Sequence, residues 1–245
     1  MSSSAPSQII EHVVLLKAKP SADPSAVNEM IRNLNGLATL DSVLHISAGP
    51  VSRCRSTSLT FTHMLHSRYR SKSDLASYTH DPVHVAVVAG YVKPVVDDVM
   101  AVDWVAEDFS GPVAVGFRLG LIGLGHYQVD PITTQSARFA SPTVAVPPGA
   151  ALRLKVMKVK DKSGKGEVLE IARGMKGKFD AIEQLTAGEN FSPERSKGFS
   201  IASIAVVKEL EALGVVSDVV SEHFDDVVVL DYAVPAQKPA AAARL

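Results

Sequence analysis

Apolar and polar positions along the chain run through the same pattern twice, and each round predicts strand, helix, strand, strand, helix, strand. Residues 10–18 are apolar and β-branched, as a largely buried strand requires. Asp23-Pro24 then opens a helix carrying Val27, Met30, Ile31, Leu34 and Leu37 at helical spacing. Strands are predicted at 43–48 and 58–66, joined by a polar turn around residues 53–57. A helical pair follows over 73–79 and 83–95, interrupted at Asp81-Pro82 because proline lacks an amide donor and clashes with the preceding turn. Residues 99–105 supply the last strand. The second round is predicted at 151–160, 165–178, 182–187, 197–207, 208–222 and 227–234.

The repeat is visible in the residues themselves. The stretch at Glu11–Lys19 returns at Leu152–Lys160, 141 residues on, and Ala48-Gly49 returns as Ala187-Gly188, 139 on. Leu59–His63 returns as Phe199–Ser203, an offset of 140. Asp97–Trp104 returns as Asp225–Tyr232 at only 128. The second round is therefore shorter by about twelve residues after its third block, and it lacks the helical pair's central segment. The order is the split β-α-β, ferredoxin-like plan. The predicted fold class is α+β, two such units packed sheet to sheet as an intramolecular α/β barrel, because one unit alone leaves an apolar sheet face uncovered. A homodimer of such chains is a further option. The predicted boundaries are 9–106 and 151–235 for the units, 107–150 for a Gly/Pro-rich linker and 236–245 for a low-complexity tail.

The chain has 245 residues, 46% hydrophobic and 21% charged, with a net charge of −1. That balance argues against a nucleic-acid partner held by counterion release. The single cysteine, Cys54, excludes an intrachain disulfide framework. No apolar run reaches the length of a membrane span, and the N-terminus shows neither the basic nor the apolar region of a secretory signal. Within the linker, Gly120–Gly125 does not fit the dinucleotide-binding spacing and is read as linker.

Strand alternation places His12, Val14 and Leu16 on one face of the first strand and Glu11, Val13 and Leu15 on the other. His63 shares a face with Phe61 and Leu65, opposite Met64 and His66. His12 and His63 read as hydrogen-bonded core histidines or as cavity residues. The densest polar cluster is Tyr78–His84, where the Pro82 kink can turn Tyr78 and His84 toward one cavity, an imidazole taking a proton beside a phenol. The plainer reading of the same residues is a helix start with Asp81 as cap and Pro82 in the first turn. His80 and His84 have zinc-like spacing, but Pro82 breaks the helix between them.

These stretches resemble the plant stress-response A/B barrel family, in its tandem-domain peroxisomal form. The resemblance covers about 9–105 and 151–235. It is carried by Glu11–Leu16, Phe61–Arg70, Ser77–Val85, Met100–Trp104 and Gly188–Ser200. That family includes olivetolic acid cyclase, which closes a polyketide with a tyrosine and a histidine, and its pattern falls on Tyr78 and His84. The resemblance implies a ligand pocket of His12, Val14, Leu16, Met30, Leu34 and Leu65 confined to the first unit, to which strand alternation adds His63. It implies no required cofactor, but a magnesium ion on main-chain oxygens at Asn35, Ala38, Thr39 and Asp41. Functions left open are a stress protein without catalysis or binding a small apolar ligand in the barrel, a Tyr/His cyclase, and an interaction module with a filled interior. The C-terminal Ala243-Arg244-Leu245 resembles a peroxisomal signal read by an import receptor, with the cytosol as the alternative location.

Overall fold

The computed structural model describes residues 8–56, 58–106, 144–160, 164–216 and 224–235. The first unit contains β1 (Ile9–Ala18), α1 (Pro24–Gly36), β2 (His45–Ser56), β3 (His63–Tyr69), α2 (Lys72–His80), α3 (Pro82–Val87) and β4 (Val96–Ala106). The second contains β5 (Ala151–Val159), α4 (Lys165–Arg173), β6 (Gln184–Glu189), β7 (Ile201–Val207) and β8 (Phe224–Ala233). The strands are ordered β4-β1-β3-β2-β8-β5-β7-β6. Two four-stranded units thus meet at β2–β8, and a bridge between Trp104 and Asn190 brings the outer edges β4 and β6 together. The result is an eight-stranded, nearly closed barrel. Within the described residues, no helix is long and apolar enough to cross a membrane.

Local chemistry sets the helix starts. Asp23 accepts the Ser25 amide at 2.7 Å with Pro24 next in line, and Ser71 accepts the Asp74 amide at 3.1 Å. Asp81 caps α3 by accepting the Val83 amide at 2.8 Å, with Pro82 in the first turn. Beyond Val87 the chain passes into a π-helical turn at Val88–Val92, and β4 starts at Val96, so the helix expected to reach 95 is shorter. In the second unit a single 3-10 turn, Leu210–Val215, stands where a helix over 208–222 is expected; 217–223 lie outside the described residues.

The inward faces of both units make the core. Val13, Leu15 and Val102 of the first unit pack with Leu154, Ile204 and Leu230 of the second, all fully buried. Each such side chain contributes about 1.5–3 kcal/mol on burial, so neither sheet face tolerates exposure. Because these faces are covered within one chain, any homodimer has to use another surface. One end of the interior is polar. The Glu11 carboxylate accepts from His66 Nε2 at 2.6 Å, Arg68 Nε at 3.1 Å and Thr186 Oγ1 at 3.0 Å. Arg68 also donates to Gln184 Oε1 at 2.9 Å, so this network ties the two units together. Burial alone pushes Glu11 up, but Arg68 and His66 hold it far below the ordinary carboxylate range.

Strand register corrects two expectations. Residues 53–56 are not a turn: Arg53–Ser56 belong to β2 and pair with Asp231–Val228, forming the seam between units. Met64 and Ala202 occupy equivalent positions, opposite Gly49 and Gly188, so the third repeated block is offset by 138 residues rather than 140. The change is even, so each residue keeps its face. The repeated Ala-Gly has a physical cause. A Cβ at Gly188 would lie 2.7 Å from the Val105 carbonyl oxygen and 2.8 Å from Trp104 Cδ1; at Gly49 it would lie 3.3 Å from Tyr232 Cε2. Each unit's last-strand aromatic crosses the other unit's glycine.

Gly188→Ala is therefore expected to lower stability by about 1–3 kcal/mol through overpacking at a seam. Gly36→Ala, in a helical position with open space around it, is expected to raise stability by about 0.4–1 kcal/mol. Urea midpoints at unchanged m-value check both.

Candidate functional site

The outer face of the first unit's sheet, beneath its helices, carries a cavity of about 330 Å³. Its floor is Val14, Leu16 and Leu65, and its roof is Leu34 of α1 with Val88 and Val92 of the π-helical turn. This volume sits at the lower end of the ~300–1,000 Å³ range of small-molecule pockets. The polar wall is formed by His12, Tyr78, Thr79 and His84, and Lys93 and Arg195 also line the space. The cavity lies on the outer face of the sheet, on the side opposite the inward-facing side chains that pack the two units together.

Register brings His12 opposite Asp103 on β4, and His12 Nδ1 bonds to Asp103 Oδ1 in a buried pair. A carboxylate only accepts, so the ring donates through Nδ1. Burial alone raises the Asp103 carboxyl, but the His12 hydrogen bond and charge hold it below its ordinary value. A loop of the second unit clamps the same point: Asn190 Oδ1 accepts the Asp103 amide at 3.1 Å, and the Phe191 amide donates to the Asp103 carbonyl at 2.9 Å.

The Pro82 kink sets the Tyr78 and His84 rings 4.4 Å apart between centroids. His84 Nδ1 donates to the Thr79 carbonyl at 3.1 Å, which leaves Nε2 as the basic nitrogen. Burial lowers the His84 pKa, against the opposing effect of that carbonyl, and favours a neutral ring at pH 7. Burial pushes the Tyr78 phenol well up, so it stays protonated as a donor. Tyr69 lies 5.2 Å from Tyr78 and bonds to Ser67 Oγ at 3.0 Å. The wall thus holds a neutral imidazole base and a protonated phenol side by side.

Of the residues proposed from sequence, His12, Val14, Leu16, Leu34, Leu65, Tyr78 and His84 line this space together. Met30 is fully buried in the packing of α1 on the sheet and does not line it. His63 is half-buried at the start of β3, bonded to Thr62 Oγ1 at 2.9 Å, away from the cavity. The stretch Asn35, Ala38, Thr39 and Asp41 follows the end of α1, outside the cavity lining. The Asn35 carbonyl accepts the Leu37 amide, and Arg70 Nη1 donates to the Asp41 carbonyl at 3.3 Å. Sequence reasoning missed Asp103, Thr79, Lys93 and Arg195. Arg195 also corrects the expectation that the site belongs to the first unit alone.

The second unit repeats the cross-strand pair with different chemistry. Arg153 and Asp231 occupy the positions of His12 and Asp103, joined at 2.7 and 3.0 Å. A guanidinium there carries a permanent charge and reaches both carboxylate oxygens; the His12 ring reaches one and lines the cavity.

Eight antiparallel strands from two ferredoxin-like units, with a helix-covered cavity on one of them, define a tandem α+β barrel. The family model described as "Stress responsive A/B Barrel Domain" matches residues 10–106 and 152–234. A stress-response A/B barrel domain-containing protein of Arabidopsis thaliana is 43% identical over 249 residues, covering 96% of this chain and 82% of its own. A second protein of that description from the same plant is 37% identical over 238 residues, covering 94% and 98%. The chain belongs to the stress-responsive A/B barrel domain family. Among solved structures, a Fusobacterium nucleatum protein with a provisional monooxygenase designation shares the fold at TM-score 0.56 and 9% identity, over 94% of each chain.

Glu11 and Asp103 are both held below their ordinary pKa when folded. Their stabilisation is complete above the unfolded carboxylate range, ~4, and is lost as pH falls through the folded values. Asp103→Asn is expected to cost about 1–3 kcal/mol at pH 7 by spoiling the buried pair. It should also flatten the loss of stability between pH 4.5 and 3, as read from urea midpoints across that range.

Proposed function

We propose that this protein binds a small, mostly apolar molecule bearing a carbonyl or hydroxyl group in the cavity of its first unit. The observation that carries this reading is the 330 Å³ space with an aliphatic floor and roof and its hydrogen-bonding groups gathered on one wall. Apolar lining with a few converged polar groups is the usual make-up of a ligand site. A purely structural module would have no use for a polar wall beside an open apolar space.

A second reading is favoured by the fixed tautomer of His84 and its contact with Tyr78. Olivetolic acid cyclase, in the same family, works with a tyrosine and a histidine. Here His84 Nε2 takes a proton from a methylene between two carbonyls, and the resulting enolate attacks a third, more distant carbonyl of the same ligand. The Tyr78 O–H donates to the oxygen that gains charge, and loss of water completes an aldol closure. The peroxisome is the proposed location, through recognition of Ala243, Arg244 and Leu245 by an import receptor. The tail and most of the linker, 107–143, lie outside the described residues.

Leu65→Trp fills the cavity floor. Apolar phenols such as 4-propylphenol are expected to raise the Tm of the native protein by a few degrees and to leave a folded Leu65→Trp variant unmoved. Equal shifts in both proteins contradict the binding site. Tyr78→Phe separates the two functions: binding without turnover of linear polyketides before substitution argues for a carrier, and turnover lost at retained affinity argues for the cyclase. Deleting Leu245 from a fluorescent fusion bearing the native C-terminus is expected to move it from peroxisomes to the cytosol.

A further inference from the structure

The mouth of the cavity has a chemistry that its apolar body does not need. Two cationic side chains, Lys93 from the first unit and Arg195 from the second, are among its lining residues, and no aspartate or glutamate is. Lys93 is exposed and makes no ion pair among the described residues. The Arg195 guanidinium is half exposed, and its nearest carboxylate oxygen, Asp103 Oδ2, is 3.7 Å away. The other Asp103 oxygen is already bonded to His12. One carboxylate, shared with a histidine at the limit of ion-pair distance, leaves this mouth with a surplus of positive charge.

Arg195 is also held in place by an anchored loop. It ends a 3-10 turn, Pro193–Arg195, that follows Asn190. The Asn190 side chain donates to Ser196 Oγ at 2.7 Å and to the Phe199 carbonyl at 2.9 Å. Its oxygen accepts the Ser192 amide at 3.0 Å and the Asp103 amide at 3.1 Å, so its two donor hydrogens and both lone pairs are used. Lys197 adds a 2.9 Å ion pair to Asp98 on β4. The loop is therefore fastened to the first unit at two points, which fixes where Arg195 stands. The same positive charge is felt inside the site, where it lowers both His84 and Asp103.

We propose that the cavity selects small monocarboxylates, with the hydrocarbon part inside and the carboxylate held at the mouth between Arg195 and Lys93. This rests on the ligand-binding reading above and names the chemical class that it takes. A planar guanidinium on an anchored loop is suited to a carboxylate, to which it can present two parallel N–H donors, while the ammonium adds a flexible second charge. At a water-like share of ~30 Å³ each, the cavity has room for about eleven non-hydrogen atoms. A fatty acid or aryl-alkanoic acid of eight or nine carbons fits. The second unit, which has no helical pair over a cavity of its own among the described residues, serves the first by supplying its anion-binding residue.

Octanoate and its neutral analogue octanamide, titrated calorimetrically into the full-length protein at pH 7 and low salt, provide the test. Octanoate is expected to bind at least about tenfold more tightly than octanamide. Arg195→Gln and Lys93→Gln are each expected to weaken octanoate about three- to tenfold and to change octanamide affinity by less than about twofold. Added salt should narrow the gap between the two ligands. Equal affinities for octanoate and octanamide overturn the carboxylate preference and leave the binding reading standing. Binding of neither ligand overturns both. A preference for octanoate that survives the two substitutions shows that the anion is held elsewhere, and overturns the assignment to Arg195 and Lys93.

Discussion

Mutual burial of two apolar sheet faces is the constraint on which the rest of this structure depends. Neither four-stranded unit can leave Val13, Leu15 and Val102, or Leu154, Ile204 and Leu230, in water. Closing the two faces against each other requires close approach at both seams, and at each seam a glycine lies beneath an aromatic ring. Trp104 crosses Gly188 on one side and Tyr232 crosses Gly49 on the other. The seams differ in strength: β2 pairs along its second half with β8, whereas β4 and β6 meet at a single bridge. The weaker seam is the one beside the cavity, and there Asn190 and its loop fasten the second unit to the strand that carries Asp103.

With the inward faces committed to stability, chemistry is left to the outward face under the helices. There the units have diverged. The cross-strand pair is His12–Asp103 in the first and Arg153–Asp231 in the second. The first pair sets an imidazole ring at a cavity wall; the second is a two-point ion pair, also bonded to the Val216 carbonyl, that only holds strands together. The helical pair bearing Tyr78 and His84 covers the first sheet, and a short 3-10 turn stands in the second. One unit holds the cavity and the other props and completes it, a division that a tandem chain permits and two identical units would not.

The repeat, the split β-α-β order and the covering of one sheet by the other were legible in the sequence, because helical and strand periods and the recurring Ala-Gly and Asp-aromatic pairs are imposed by the core. The seam was not. Arg53–Ser56 are polar and half exposed on one side even though they pair with β8, and short polar stretches of that kind look like turns. Tyr78 and His84 could be placed together from the proline between them. Asp103 was findable, since the offsets of 141 and 128 align His12 with Arg153 and Asp103 with Asp231, a pairing of basic group and carboxylate in both units. Arg195 was not, because nothing local marks a loop arginine as belonging to a site whose other residues lie between His12 and Val99.

The central claim is that the two units are one folding body with a shared core. Trp104, the chain's only tryptophan, is fully buried against the second unit, so its fluorescence reports the junction, while far-UV circular dichroism reports both sheets. Equilibrium urea unfolding followed by both signals is the direct measurement. Coincident single transitions are what a shared core requires. Two separated transitions, with the tryptophan signal lost while half the ellipticity remains, would mean that each unit stands alone and would contradict the account.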